Sequence, residues 1–131
     1  MAINLDNEFA LHSRALNVAT QRLGLLANNL ANADTPEFKA QDIDFKTAMK
    51  SADSNQPAMQ ATHAQHISPG RGGMNAEVMY RVPDQPSMDG NTVDAQKETT
   101  AISETAVRYE ATLTFLNSKI RGLRLAITGS R

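Results

Sequence analysis

The stretch from Thr99 to Ile127, TTAISETAVRYEATLTFLNSKIRGLRLAI, decides the fold. Its apolar and aromatic residues recur at alternating intervals of four and three without a slip: Ile102, Ala106, Tyr109, Leu113, Leu116, Ile120, Leu123 and Ile127. This is a heptad repeat, the spacing that keeps one side of a helix against a partner helix. The pattern therefore predicts a helix from about Ala95 to Thr128 whose apolar side must be covered by this chain or by another.

The ends of this helix are marked in the sequence. Thr92 or Asp94 is suited to cap its first turn, and Gly129 supplies a stop just beyond Thr128. The acidic residues of this helix all lie at or before Glu110, and every charged residue after Glu110 is basic. This distribution complements the helix dipole.

The same repeat occurs at the other end of the chain. It predicts an N-terminal helix whose apolar positions are Leu5, Phe9, Leu16, Ala19, Leu23, Leu26, Leu30 and Ala33, with His12 as the one polar member. The simplest arrangement pairs the two helices as an antiparallel coiled coil. We therefore predict an all-α-dominated fold in which 1–33 and 95–131 form one coiled-coil domain.

Further apolar residues lie off the two heptad repeats. Leu11, Val18 and Leu25 form a second stripe on the first helix. Either a small third element of the chain covers this stripe, or a neighbouring subunit does. We expect the subunit interface to contain Leu11, Val18, Leu25, Val107, Phe115 and Leu125, and the isolated chain to become rigid only on assembly.

Residues 34–94 differ in composition from both ends. All five prolines (36, 57, 69, 83 and 86) fall here, which favours an extended, loop-rich middle segment. Asp44 is suited to cap a short helix through Lys50 that would bury Phe45 and Met49. The β-prone run from Val78 to Val82 is stopped by Pro83, so it predicts at most a short edge strand or ribbon.

Composition excludes several classes of function. The 131 residues contain no cysteine, hence no disulfide or thiolate metal site, and the net charge of −1 gives no reason to expect nucleic acid as a partner. Neither a secretory signal nor an apolar run long enough to span a bilayer is present, so we expect no direct membrane insertion. These features indicate a cytosolic protein, or one exported without a cleaved signal.

The residues give no support for catalysis. His63 and His66 are spaced for metal binding but lack a third histidine or a helical His-Glu motif, so no metal or cofactor is expected. The glycine-rich loop 70–73 lacks the Gly-Lys-Ser/Thr of a phosphate-binding loop. The segment 84–94 lacks the ligand alternation of a calcium loop.

The end of the first helix resembles a known signature. Asn29-Leu-Ala-Asn32, Thr35-Pro36 and Phe38 are similar to the N-terminal motif of the bacterial flagellar rod and hook family. Family members usually carry glycine where this chain has Glu37, which leaves the backbone conformation of that residue open.

The resemblance extends to both flanks of the middle segment. Residues 38–45 resemble the proximal rod subunits more than their relatives, and so do 89–94, Glu98 and the run from Arg108 to Ala111. Together with Lys119 and the segment 123–129, the matching regions span most of the predicted helices.

The resemblance implies a non-enzymatic structural subunit of the basal-body rod, assembled helically and transmitting torque. It implies as partners other copies of the chain, neighbouring rod subunits, a FliE-type base protein, and the export gate on the MS-ring side. Such subunits reach the periplasmic rod through the flagellar type III export apparatus. Two other classes stay open from the residues alone: a coiled-coil adaptor or export chaperone, and a small helical enzyme using His63 and His66.

Overall fold

The fold is a pair of long helices with a small third layer on one side. The computed structural model describes the backbone of residues 5–53 and 76–129, and the side chains of 9–50 and 76–129. Its elements in chain order are α1 (Leu5–Ala31), β1 (Gln41–Ile43), α2 (Phe45–Asp53), β2 (Val78–Tyr80) and α3 (Ala95–Thr128). The prediction of an all-α-dominated fold with a short helix and a short ribbon in the middle is confirmed.

The helix α3 has the predicted bounds. Asp94 has extended backbone and caps the first turn, because its carboxylate accepts from the backbone N–H of Gln96 at 3.0 Å and of Lys97 at 3.3 Å. Gly129 ends the helix with a φ of 71°, a conformation in which glycine carries no Cβ penalty.

The helices α1 and α3 pack side by side and run in opposite directions, so the C-terminal turn of α1 meets the first turn of α3. On α1, Ala19 and Leu26 are buried, and Phe9, Leu16 and Leu23 are partly buried. The α3 residues that are partly buried on the facing side are Ile102, Tyr109, Leu113, Leu116 and Leu123. Two helices cover only one side of each other, which explains why most of these side chains keep some contact with solvent.

The side chain of Leu5 lies outside the described residues. Of the other expected heptad positions, four are exposed: Leu30, Ala106, Ile120 and Ile127. Thr105 is buried in place of Ala106, since the two lie about 100° apart around the helix and the inner side is centred nearer Thr105. Ile127, in the last turn of α3, is 84% exposed.

A third element covers the second stripe of α1. Val18, Ile43 and Ala48 form a buried cluster against which Leu25 and Phe45 pack. The structure therefore places Val18 and Leu25 inside the chain, whereas the sequence analysis assigned both to the subunit interface. The physical reason is α2, which lays its own apolar side across α1.

Asp44 caps α2 as the sequence predicted. Its carboxylate accepts from the Lys46 backbone N–H at 2.9 Å and from the Thr47 hydroxyl at 2.5 Å. These hydrogen bonds to the charged form lower the pKa of Asp44.

The ribbon joins two parts of the middle segment that are far apart in sequence. β1 and β2 pair antiparallel, with Asp42 opposite Met79 and Ile43 opposite Val78. The predicted β-prone run provides β2, whereas β1 has only three residues and no alternating pattern that would have predicted it. No helix among the described residues is long and apolar enough to cross a bilayer.

We predict that Leu26→Ala lowers the free energy of unfolding by about 2 to 5 kcal/mol, because this side chain is fully buried between the helices. Urea titration of the helical circular dichroism signal measures the change, at a protein concentration where that signal is fully developed. The matched control is Leu11→Ala, which truncates an exposed leucine on the same helix and should cost less than about 0.5 kcal/mol. Equal losses for the two variants would contradict the packing described.

Candidate functional site

Five polar side chains meet where α1, the ribbon and α3 come together: Arg22, Asn29, Asp42, Arg81 and Glu98. We call this cluster the polar joint. Asn29 is buried at its centre, donating from Nδ2 to the Gln41 carbonyl at 2.8 Å and accepting at Oδ1 from the Gln41 N–H at 3.0 Å. The same Nδ2 donates to Glu98 Oε2 at 3.2 Å. One amide thus fixes β1 and the first turn of α3 to α1.

The ionised groups of the polar joint alternate in sign. Arg81 donates from Nη1 to the fully buried Glu98 and from Nη2 to Asp42 Oδ2 at 2.8 Å. Arg22 binds Asp42 through two parallel hydrogen bonds, from Nε at 2.8 Å and from Nη2 at 3.0 Å. Two cations and two anions therefore balance, and such two-pronged pairs fix orientation as well as charge.

The pKa values of one ion pair reflect this arrangement. Burial by itself raises the pKa of Asp42, but hydrogen bonds from Arg22, the Ile43 backbone and Arg81 outweigh it and hold the pKa below the ordinary aspartate value. The hydrogen bond to Asp42 raises the pKa of Arg22. Both shifts favour the charged forms of Asp42 and Arg22. Removing one partner of a buried ion pair typically costs about 3 to 5 kcal/mol.

The signature turn follows the end of α1. Asn32 donates from Nδ2 to the Asn28 carbonyl at 2.8 Å, and the Thr35 hydroxyl donates to Asn32 Oδ1 at 3.3 Å. The Phe38 N–H reaches the Thr35 carbonyl at 3.4 Å across Pro36, while Phe38 itself is partly buried. Asn29, which belongs to the same sequence signature, lies in the polar joint and not in the turn.

The carbonyls of the turn that follows α1 accept hydrogen bonds from a distant part of the chain. Asn91 is buried, and its Nδ2 lies 3.1 Å from the Asn32 carbonyl, 2.7 Å from that of Ala33 and 3.0 Å from that of Thr35. Its Oδ1 accepts from the Val93 N–H at 2.8 Å. The sequence analysis did not identify this role, because nothing local relates residue 91 to the end of α1.

Glu37 adopts the left-handed conformation, with a φ of 63°. This is the third position of the turn from Thr35 to Phe38, where a type II turn needs positive φ and favours glycine. The Glu37 N–H donates to the Asp89 carbonyl at 2.9 Å, which holds the turn against the segment that leads into α3. The chain therefore keeps the turn although it lacks the glycine.

A second stripe of α3, made of apolar and small residues, faces away from α1. It consists of Val107, Ala111, Phe115, Ser118, Gly122 and Leu125, all exposed, and we call it the outer stripe. Val107 and Leu125 lie about 180° around the helix from Glu98, on the side opposite the buried one. The exposed fractions of Val107, Phe115 and Leu125 are 69%, 64% and 51%.

The remaining candidates from sequence form no centre in the described part of the chain. His63, His66 and the loop 70–73 lie outside the described residues. Within 84–94, Asp84 pairs with Lys97, Asp89 binds Ser87 and the Asn91 N–H, and Asp94 caps α3. No three metal-ligating side chains converge among the residues that the structure describes.

The amino-acid sequence matches a known family of proteins. The family described as flagella basal body rod protein matches residues 10–39, a segment that contains the signature turn. The flagellar basal body rod protein FlgB of Aeromonas hydrophila is 40% identical over 132 residues, covering 100% of both chains. FlgB of Salmonella typhimurium is 38% identical, covering 98% of this chain and 99% of its own. FlgB of Escherichia coli K12 is 38% identical, with 94% of each chain covered.

We predict that Asp42→Asn makes the free energy of unfolding depend less on pH in the acidic range. Because the folded pKa of Asp42 lies below the ordinary value of 3.8, the unfolded chain takes up this proton first, and stability is lost as pH falls through the folded pKa. The free energy of unfolding of the parent should exceed that of the variant by the largest amount near neutral pH. This difference should shrink below about pH 4. Urea titrations from pH 7 to pH 3 measure it.

A second variant tests the cause of this shift. Arg22→Gln removes the first hydrogen-bond partner that lowers the Asp42 pKa, so it should flatten the acid dependence in the same direction. If the difference in free energy of unfolding between the parent and either variant stays constant from pH 7 to pH 3, the lowered pKa of Asp42 is contradicted.

We predict that Glu37→Gly stabilises the chain by about 0.5 to 1 kcal/mol, since it relieves the left-handed backbone penalty at some cost in unfolded-state entropy. Glu37→Ala is the control, because alanine keeps the penalty while losing the same carboxylate. Thermal unfolding of both variants measures the effect, and equal gains for glycine and alanine would show that the charge, not the φ angle, is responsible.

Proposed function

The chain belongs to the flagellar basal body rod protein family, and on that premise we propose that its outer stripe is the surface through which neighbouring subunits join into the rod wall. The protein is a structural subunit of the rod of the basal body and not an enzyme. It assembles with other rod components. The single observation that carries the proposal is the exposed apolar side of α3 opposite its contact with α1.

The outer stripe combines four apolar residues (Val107, Ala111, Phe115 and Leu125) with the small residues Ser118 and Gly122. Its six members recur at four, four, three, four and three residues along α3, the spacing of a helix face that packs on another helix. Because α1 occupies the opposite side, this face can be covered only by atoms that the described part of the chain does not supply. Leu11 of α1, also exposed, extends the apolar surface available to neighbours.

The mechanism of assembly is heterologous packing, in which a surface of one subunit fits a different surface of the next and produces a helical array. The polar joint supports the transmission of torque, because it fixes the ribbon to both helices through charged, largely buried hydrogen bonds. A load applied to the middle segment would then be carried by α1 and α3 together.

The finer assignment is the proximal rod. On this proposal the chain binds copies of itself, neighbouring rod subunits, a FliE-type base protein and the export gate on the MS-ring side. It reaches the periplasmic rod through type III export without a cleaved signal, which is consistent with a chain free of cysteine that must pass unfolded through a narrow channel. The rival assignment, a coiled-coil adaptor or export chaperone, is not favoured by relatives that are named rod proteins.

We predict that Phe115→Asp abolishes swimming when the variant replaces the native chain in cells, because it places a charge in the centre of a desolvated contact. Isolated basal bodies from these cells should lack the rod while retaining the membrane ring, and the helicity of the purified variant should equal that of the parent.

The matched control is Asn117→Asp, which adds the same charge to an exposed position of α3 about 160° away from Phe115. Cells carrying it should swim normally. Normal swimming of cells that carry Phe115→Asp would show that the outer stripe is not part of the assembly surface.

A further inference from the structure

Asp89 and Gly90 form the one Asp-Gly pair of the sequence. Among the seven glycines only Gly90 follows an aspartate, and none follows an asparagine. Because glycine has no Cβ, the carboxyl carbon of a preceding aspartate meets little steric hindrance when it approaches the glycine nitrogen. An aspartate followed by glycine is for this reason the aspartate most prone to cyclise onto its own backbone.

This cyclisation needs no other protein and no cofactor. The Gly90 nitrogen attacks Cγ of the protonated Asp89 side chain, a C–N bond forms, and the amide proton and the carboxyl hydroxyl leave as one water. The resulting five-membered succinimide takes up water at either of its carbonyls. Opening at Cγ restores aspartate, whereas opening at the former backbone carbonyl gives isoaspartate, in which the chain runs through the side-chain carbon.

The structure holds both reacting groups in other contacts. The Gly90 N–H donates to the Ser87 carbonyl at 3.2 Å. The Asp89 carboxylate accepts at Oδ1 from the Ser87 hydroxyl and from the Asn91 N–H, the latter at 3.1 Å. Ring closure requires the Gly90 nitrogen to lose its proton and to face Cγ. Residues 87–91 must therefore open locally before the reaction can proceed.

The same contacts keep the carboxylate in its unreactive charged form. The hydrogen bonds from the Ser87 hydroxyl and from the Asn91 N–H lower the pKa of Asp89, and the positive charge of Lys39 acts in the same direction. A neutral carboxyl can release its hydroxyl as water, whereas a carboxylate offers no comparable leaving group. Geometry and charge thus oppose ring closure together.

The Asp89–Gly90 peptide also joins the signature turn to the segment that leads into α3. The Asp89 carbonyl accepts from the Glu37 N–H at 2.9 Å, and Lys39 Nζ donates to the Gly90 carbonyl at 2.6 Å. In isoaspartate the former Asp89 carbonyl becomes a free carboxylate on a side branch, and the backbone gains one methylene. The hydrogen bond that holds Glu37 would lose its acceptor in the main chain.

We propose that Asp89–Gly90 is a site of spontaneous isoaspartate formation, and that the contacts of Ser87 and Asn91 suppress the reaction while this part of the chain is folded. The site sets a limit on how long the unfolded chain stays chemically intact. This inference goes beyond the rod function and does not depend on it, because every group involved belongs to residues 87–91 of one chain.

Ageing the full-length chain at neutral pH tests both parts of the proposal. Isoaspartate is quantified by labelling with an isoaspartyl methyltransferase and is located by electron-transfer fragmentation, which distinguishes it from aspartate. It should accumulate at residue 89 at least about tenfold faster in guanidinium chloride than in buffer where the helical signal is fully developed. Equal rates would overturn the protection, and no isoaspartate at residue 89 in the denaturant would overturn the site.

Ser87→Ala tests the contact that holds the carboxylate, because it removes the hydroxyl and keeps the backbone carbonyl. In buffer it should raise the rate at residue 89 about three- to tenfold, the ratio given by one hydrogen bond of ordinary strength, and leave the rate in denaturant unchanged. The matched control, Ser13→Ala, makes the same change at an exposed position of α1 and should alter neither rate. A rate for Ser87→Ala in buffer equal to that of the parent would overturn the role of this contact.

Asp89→Glu tests the chemistry of the site. Its side chain is one methylene longer, so ring closure would need a six-membered ring, and most of the labelling in denaturant should vanish. Labelling as strong as in the parent would place the reaction elsewhere and overturn the proposal. The isoaspartate fraction of the aged parent, separated by ion exchange, should unfold at a lower temperature than the unmodified fraction, and equal temperatures would overturn the inferred loss of the Glu37 contact.

Discussion

The buried carboxylate of Glu98 is the constraint on which the rest of the structure depends. It lies in the first turn of α3 with no exposure to water, so it must be matched by a cation and by hydrogen-bond donors. Arg81 supplies the cation and Asn29 a donor, and these two residues come from the ribbon segment and from α1. Satisfying one carboxylate therefore fixes the relative positions of three parts of the chain.

This arrangement separates the two tasks of a rod subunit. Packing between α1 and α3 holds the helix pair together, yet it covers one side of each helix and leaves the outer stripe of α3 exposed. The polar joint and the hydrogen bonds from Asn91 to the turn after α1 are concentrated at one end of the pair. These hydrogen bonds fix the chain where the C-terminus of α1 meets the first turn of α3, while the outer stripe farther along α3 stays uncovered by α1.

The turn that carries the family signature shows how a motif can persist without one of its residues. Glu37 takes a left-handed conformation, which glycine adopts more easily. It is held there by its place in the turn after Pro36 and by the hydrogen bond from its N–H to the Asp89 carbonyl. Surrounding contacts impose the backbone geometry and outweigh the local penalty.

The sequence by itself determined the helices, because a heptad repeat and its caps are local properties: the bounds of α3, the cap at Asp94 and the short helix after Asp44 can be read from neighbouring residues. It also indicated the family, through short motifs at the ends of both helices. Only the tertiary structure decided that Val18 and Leu25 are covered by α2, that Thr105 and not Ala106 faces α1, and that Arg22, Asp42, Arg81 and Glu98 form one network. Asn29 and Glu98 are 69 positions apart, and no periodic pattern relates residues that meet only when the chain folds back on itself.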